Sequence, residues 1–473
     1  MLCVQILLAH SYFFLRWGTV HESGRGKVDI FKFAQGKLLC ADNIDSGAPS
    51  YSAERGCAVL SQRLALDINT TGYVARGFVR DSSIVEKAQI QISNHMRVCM
   101  AIPQDLDIYG VAASEPILSE VASRIMRRNN SGFALCSTLS NVMDSYAISP
   151  GDRGELLVAA FFTWARDLYV KQLSNMIKRQ LFGSTDRFCP VFSVVDFLSN
   201  LFNKQFHSIM LESLPSVYRM GNTSSPQKFG DVFRRTRMHY NHFIKPNNSD
   251  VINRQYLLNI LARGAGALGA NGQPGYDMIF PFLYETDDLD IKKVGFIMVQ
   301  VKNAKSLSPR SEIMNKLDRA ARKLLTKNDT VPVIRMVFSL RGTCPTLEHM
   351  TYSQNKGASL SPYTSYDFWC FGMGPGLLQP VDEDGGTTKW EELLQKPEIS
   401  KDVFVESSNP DLRRSEHPGG GRSRGHNDNW VSESAMSPTL AEPKLDPNDN
   451  GDDDDDYNDD GDDDEYEPED EED

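Results

Sequence analysis

Three residues in the second half of the chain have types and spacing that could do hydrolytic chemistry. Asp277 stands in "GYDMIFPF" beside Tyr276, Met278, Ile279 and Phe280, and Gln300 and Lys302 stand at i and i+2 in "FIMVQVKN". A carboxylate on so apolar a strand is costly unless it is paired or ligates a metal. Residues i and i+2 of a strand share one face, so the Gln300 amide and the Lys302 ammonium project together. The short connection between the two strands makes them neighbours, and all three side chains then converge. That is the arrangement metal-dependent phosphodiester cleavage needs. Hard oxygen ligands hold Mg²⁺ or Mn²⁺, the metal lowers the pKa of a bound water, and a lysine steers that water or neutralises charge on the phosphate. Taken alone, Gln-Val-Lys also fits the polar end of a strand reaching solvent.

The run before Asp277, "RGAGALGANGQPGYD", contains Gly264, Gly266 and Gly269 in a G-x-G-x-x-G spacing. A dinucleotide fingerprint must leave a strand and open a helix, so that the pyrophosphate meets the helix N-terminus. Here the order is inverted. The helix-like "NRQYLLNILARG" comes first, Pro274 and Gly275 then force an extended chain, and a strand follows. The expectation is a tight reversal that delivers Asp277 to its strand. A P-loop is also absent from "SGRGKV": His21 stands where glycine is required, and Val28 where Ser or Thr is required.

The pair "GYDMIFPF" and "FIMVQVKN" resembles the PD-(D/E)xK motif of restriction-endonuclease-like nucleases, in a D…QxK form. The resemblance places Asp277 at the first acid, Gln300 at the second ligand position and Lys302 at the lysine. It implies an α/β core with a mixed sheet flanked by helices, Mg²⁺ or Mn²⁺ as cofactor, and DNA as substrate. It also implies a metal-binding glutamate from a preceding core helix. "VINRQYLLNILAR" has no acid, so the candidate is Glu155 in "SPGDRGELLVAA", with residues from about 180 to 250 as an insertion. Gln300 gives the metal one negative charge fewer than a glutamate would. An inactive nuclease-like module that binds nucleic acid or a protein partner is therefore the alternative function. Taken together, "SPGDRGELL", "HYNHFIK", "RGAGALGANGQPGYDMIFP", "VQVKN" and "PVIRMVFSL" resemble a large protein family of mushroom-forming fungi, over roughly Ile30 to Gly342. Members of that family carry this core at the C-terminal end of longer, multidomain chains.

Two segments offer contacts to a nucleic acid. "FRRTRMHYNHFIK" interleaves Arg234, Arg235, Arg237 and Lys245 with Tyr240 and Phe243, as a phosphate-and-base surface would. His239 and His242 in the same stretch have H-x-x-H spacing but no third ligand nearby, which favours packed histidines over zinc. "SEIMNKLDRAARKLLTK" puts Ile313, Leu317, Ala320 and Leu324 on one helix face, with Arg319 and Arg322 elsewhere. That second face is either simply solvated or contacts a DNA backbone. Arg153 and Arg166, near Glu155, read as ion-pair partners.

The elements that must position these residues follow from periodicity. "SPGDRGELLVAAFFTWARDLYVKQL" repeats Leu157, Ala160, Phe161, Trp164 and Leu168 at helical spacing. Downstream comes helix, strand, strand, helix, strand, with near-continuous apolar strands, which is a sheet covered on both faces. Upstream, "KVDIFKF" reads as a strand, and "PILSEVASRIM", opened by Ser114, Glu115 and Pro116, as a helix. The expected organisation is an N-terminal α/β or α+β region over 1–140, a core over 145–345, its C-terminal extension over 346–405 and a disordered tail over 406–473.

Composition sets the remaining bounds. The net charge is −13, but Gly451–Asp473 holds 17 acids in 23 residues, leaving 1–450 at about +4. A near-neutral to mildly basic folded part with a polyanionic tail is compatible with a nucleic-acid partner. The tail serves as a solubiliser, or as a strip that binds a basic partner or the protein's own core. Eight scattered cysteines without a C-x-x-C pair read as reduced, mostly buried thiols of an intracellular protein of nucleus or cytoplasm. No apolar run is long enough for a membrane span. "MLCVQILLAHSYFFLRWG" lacks a basic n-region and reads as a buried first element rather than a secretory signal.

Overall fold

The structure, a computed structural model, describes residues 30–40, 52–69, 82–101, 109–112, 115–127, 133–145, 153–180, 190–219, 225–246, 248–270, 275–303, 309–325, 329–342, 344–350, 363–374, 376–384 and 386–395. The acidic tail, the apolar start of the chain and the "SGRGKV" stretch lie outside the described residues.

The N-terminal part contains helices α1 (Ile30–Leu39), α2 (Ala53–Leu64), α3 (Ser82–Asn94), α4 (Pro116–Arg127) and α5 (Leu135–Ser145). Between them β1 (Ile68–Asn69), β2 (Arg97–Ala101) and β3 (Tyr109–Ala112) form an antiparallel sheet of order β1-β3-β2. "PILSEVASRIM" is helical as expected, with Pro116 at its first position, where a missing N–H costs nothing. "KVDIFKF" is not a strand. From Ile30 it begins α1, whose Ala34 and Leu38 bury one i, i+4 stripe.

The long helix is α6 (Arg153–Gln180), followed by α7 (Val194–Leu201), α8 (His207–Leu211) and α9 (Phe229–Phe233). Ser193 and Asp196 form a capping box that starts α7. Then come β4 (Thr236–Arg237), β5 (His242–Ile244), α10 (Arg254–Ala262), β6 (Ala265–Leu268), β7 (Met278–Tyr284) and β8 (Val294–Lys302). The chain continues through α11 (Arg310–Leu324), β9 (Val333–Ser339), β10 (Thr346–His349), β11 (Ser365–Phe371), α12 (Gln379–Glu383) and α13 (Thr387–Gln395).

One mixed sheet organises the second half, in the order β10-β11-β9-β8-β7-β6-β5, with β4 pairing to the far end of β7. Strands β5, β6, β8, β9 and β11 run the same way, while β7 and β10 run against them. The carboxyl ends of five strands therefore share one edge, and β7 starts there. The segment expected as an insertion supplies β4 and β5, and the expected extension supplies β10 and β11, so both build the sheet.

Both faces are covered. Met278, Phe280, Val299, Val301 and Phe338 share a core with Leu157, Phe161 and Phe162 of α6. Ile279, Met298 and Val337 share the other core with Leu257 and Ile260 of α10 and with Ile313 and Leu317 of α11. This double burial is why the strands read as continuous apolar runs. Leu60, Leu118 and Leu139 of α2, α4 and α5 join the α6 core, so among the described residues these N-terminal helices share the core of the sheet.

Candidate active site at the carboxyl edge of the sheet

The glycine-rich run reaches the site differently from the expected turn. Gly264 makes the reversal after α10, with φ of +71° and the His239 ring packed against it. Residues 265–268 then form β6, a strand paired to both β5 and β7. Gly266 lies under Phe280, where a Cβ would meet the ring at 3.0 Å. Gly275, just before β7, packs on α11, against Ala320 and the Lys316 carbonyl.

The register of β7 and β8 pairs Met278 with Val299, which sets Asp277 directly across from Gln300. Backbone bonds hold the entry: Asp277 N–H donates to Val299 O at 2.8 Å, and Gly269 N–H to Asp277 O at 2.7 Å. Of the three side chains expected to converge, Asp277 and Gln300 meet. Gln300 Nε2 donates to Asp277 Oδ2 at 2.5 Å, and the Val301 backbone N–H donates to the same oxygen at 2.5 Å. Gln300 is buried and Asp277 and Lys302 are half-buried. Strand alternation puts Lys302 on the Gln300 face, above α11.

The edge gathers further groups. Gly154, at the start of α6, lies against Val301, Asn303 and Leu340, with a Cβ there 3.0–3.3 Å from each. The half-buried Glu155 follows in the same turn, so the α6 N-terminus abuts the end of β8. From the other face, α11 brings Glu312, which sequence reasoning missed. Its carboxyl bonds Lys316 at 2.8 Å. That hydrogen bond and the Lys316 charge hold it below the usual carboxylate range, with a smaller contribution from Lys302. A first-turn acid on a basic helix was the available signal.

The expected nucleic-acid contacts divide. Arg235 pairs with Glu285 at 3.1 Å, just before β4, and Arg237 of β4, whose register partner is Leu283, pairs with Asp287 at 2.7 Å. With Arg234 they lie at the opposite edge, roughly 24 Å along β7 from Asp277 at about 3.4 Å per residue. Tyr240 and Phe243 are core residues packed around Phe280 at 5.0 and 5.3 Å, which removes the aromatic half of that expected surface. Lys245 sits past the end of β5 on the candidate edge, 3.9 Å from Asp67. On α11, Arg319 is exposed and Arg322 pairs with Asp318 at 2.6 Å.

His239 and His242 are buried, and desolvation followed by the charge of Arg166 lowers His239 to about 4. For His242, burial comes first and Arg263 next, and its pKa falls well below the usual value. Among the described residues no group of three or more His, Cys, Asp or Glu could hold a metal. Three of the six described cysteines, Cys57, Cys136 and Cys370, are buried and two are exposed, so buried thiols are only half of them. Arg166 is an ion-pair partner, in a buried network with Glu120 at 2.8 Å and Asp167 at 3.0 Å. Arg63 of α2 grips both oxygens of Asp167, at 3.0 and 3.1 Å, and ties the N-terminal helices to α6.

No known protein family, no curated protein and no solved structure matches the chain. Among the described residues no helix is long and apolar enough to cross a membrane.

Proposed function

We propose that the chain is a metal-dependent nuclease that hydrolyses phosphodiester bonds in DNA at the carboxyl edge of its sheet, within a restriction-endonuclease-like core. The observation that carries this reading is the cross-strand meeting of Asp277 with Gln300, with Lys302 on the same face. Ligands of open α/β sheets bind outside the carboxyl ends of the strands, which is where these residues lie. The donor set suits Mg²⁺ or Mn²⁺, which take hard oxygens, few from protein and the rest from water and phosphate.

Asp277 and Gln300 Oε1, with Glu155 at the adjoining helix start, are the oxygen donors of this reading. A bound cation would supply Lewis acidity and a water of lowered pKa. Gln300 presents its oxygen by turning its terminal amide, which now donates to Asp277. Lys302 positions the attacking water and offsets charge developing on the phosphate.

A second reading has one observation in its favour. Asp277 Oδ2 already accepts two N–H groups, so the pair is satisfied within the protein. On that reading the site is an inactive nuclease-like module that binds nucleic acid or a protein partner.

Incubation of the purified chain with duplex and single-stranded DNA, in Mg²⁺ or Mn²⁺, separates the two. Cleavage by the wild type that is lost in Asp277→Ala and Lys302→Ala supports the nuclease. Absence of cleavage under all conditions, or equal cleavage by both variants, overturns it.

A further inference from the structure

The turn after β9 holds a cation beside the candidate site that the assignment above does not use. Ser339 is the register partner of Lys302 in the parallel pair β8 and β9, and Leu340 N–H donates to Lys302 O at 3.0 Å. Arg341 therefore leaves the sheet next to the residue that follows Lys302. That residue is Asn303, and its Oδ1 accepts from Arg341 Nε at 3.0 Å.

The turn is fixed from below. Ser339 O accepts from Gly342 N–H at 3.3 Å and from Gly372 N–H at 2.8 Å. Leu340 is buried against the Gly154 turn of α6, while the Arg341 side chain is exposed. Among the described residues Arg341 has no acidic partner. The contrast with cations of α11 is chemical: Arg310 is paired with Glu348, Lys316 with Glu312 and Arg322 with Asp318.

A guanidinium tied through Nε keeps its two Nη groups on the outer edge, as a planar fork that matches two phosphate oxygens. Its rigid support lowers the ordering entropy lost when an anion binds. We infer that Arg341, braced by Asn303, is a substrate-positioning residue that grips a backbone phosphate of DNA adjacent to the one presented to Asp277, Gln300 and Lys302. The inference rests on the DNA reading above, and it moves the phosphate contacts from the Arg234–Arg237 edge to the carboxyl edge.

Anisotropy of a fluorescein-labelled DNA duplex, titrated with the full chain in EDTA across a range of salt, tests it without cleavage. Arg341→Ala is expected to raise Kd about tenfold and to lower the slope of log Kd against log salt by about one. Arg341→Lys keeps the charge and so the slope, but loses the fork and binds with intermediate Kd. Asn303→Ala, which frees the guanidinium, weakens binding about threefold with an unchanged slope. Lys292→Ala, at the other end of β8, leaves both values as in wild type, and thermal melts confirm that all four variants fold. The inference is overturned if Arg341→Ala binds like wild type, if Lys292→Ala is weakened equally, or if the wild type binds no DNA. Binding that depends on Arg341 in a chain that cuts nothing in Mg²⁺ or Mn²⁺ sinks the nuclease and leaves the Arg341 phosphate contact standing in a DNA-binding module.

Discussion

Gln300 meets Asp277 through its amide nitrogen, Nε2 to Oδ2 at 2.5 Å, across the register of two antiparallel strands. In this state the amide donates to the carboxylate, whereas a cation between the two needs the amide oxygen. The same carboxylate oxygen takes the Val301 N–H, so Asp277 also fixes the end of β8. The side chain therefore has a structural role beside the proposed chemical one, and substitutions separate them.

Gln300→Glu replaces the donor by a second carboxylate. Without metal, the loss of a hydrogen bond to a charged acceptor and the like-charge contact are expected to cost about 2–3 kcal/mol. With Mn²⁺ the added charge strengthens the site, and a ligand at a hundred times its Kd stabilises by about 2.7 kcal/mol. Thermal melts in EDTA and in Mn²⁺ should show a larger metal-dependent rise for the variant than for wild type. Equal rises, or none in either, place no metal at this pair.

The buried histidines predict how stability depends on pH. His239 has a folded pKa of about 4 against an ordinary 6.5, so the unfolded chain binds the extra proton first. Stability is thus full above about pH 6.5 and falls as pH drops toward 4, by about 3 kcal/mol at 1.36 kcal/mol per unit. His242 is shifted in the same direction and adds to the loss. Urea unfolding at pH 7.5, 6 and 5 checks this, and His239→Gln should flatten part of the slope. A wild-type stability unchanged between pH 7 and 5 contradicts it.

Much of this fold is legible because its central elements are long and periodic. Strands β7, β8 and β9 and helices α6 and α11 bury continuous or stripe-like apolar sets, and the short β7–β8 connection makes those strands adjacent, which brings Asp277 to Gln300. Strand β6 is invisible because Ala265, Gly266 and Ala267 carry no strand-forming side chains, and close packing under Phe280 is what selects them. The basic and aromatic stretch misleads for a related reason. Tyr240 and Phe243 look like base-stacking groups until their neighbours are known, and those come from distant segments. No local pattern reports that Arg63 meets Asp167 or that Arg341 meets Asn303, because each pair is assembled by topology.

Gly264→Ala tests the reversal that leads to the site. With φ at +71°, an L side chain is disfavoured by about 1–2 kcal/mol, and its Cβ would lie 2.9 Å from His239 Cε1 and Nε2. The His239 ring is itself buried and has little room to move, so the two costs combine to at least about 2 kcal/mol. The expected outcome is a lower urea midpoint with an unchanged m-value. A shift under about 0.5 kcal/mol means that the reversal relaxes freely.

Asp167 is the deepest electrostatic test, because Arg63 and Arg166 both depend on it while almost wholly buried. Burial alone would push its carboxyl up, but the charges of Arg63, Arg166 and Arg127 outweigh that and hold it below the usual range. Asp167→Ala strips this carboxylate from three guanidiniums, those of the buried Arg63 and Arg166 and of the largely buried Arg127, and about 3–5 kcal/mol of stability should be lost. Replacing both ends of the Arg63 pair, as Arg63→Met with Asp167→Leu, removes one stranded cation and restores apolar contact. The double variant should therefore be more stable than Asp167→Ala despite carrying one more substitution. Denaturant curves on the singles and the double give the coupling, and a double variant less stable than Asp167→Ala would show that Arg63 is held by the Asn241 and Thr163 carbonyls rather than by charge.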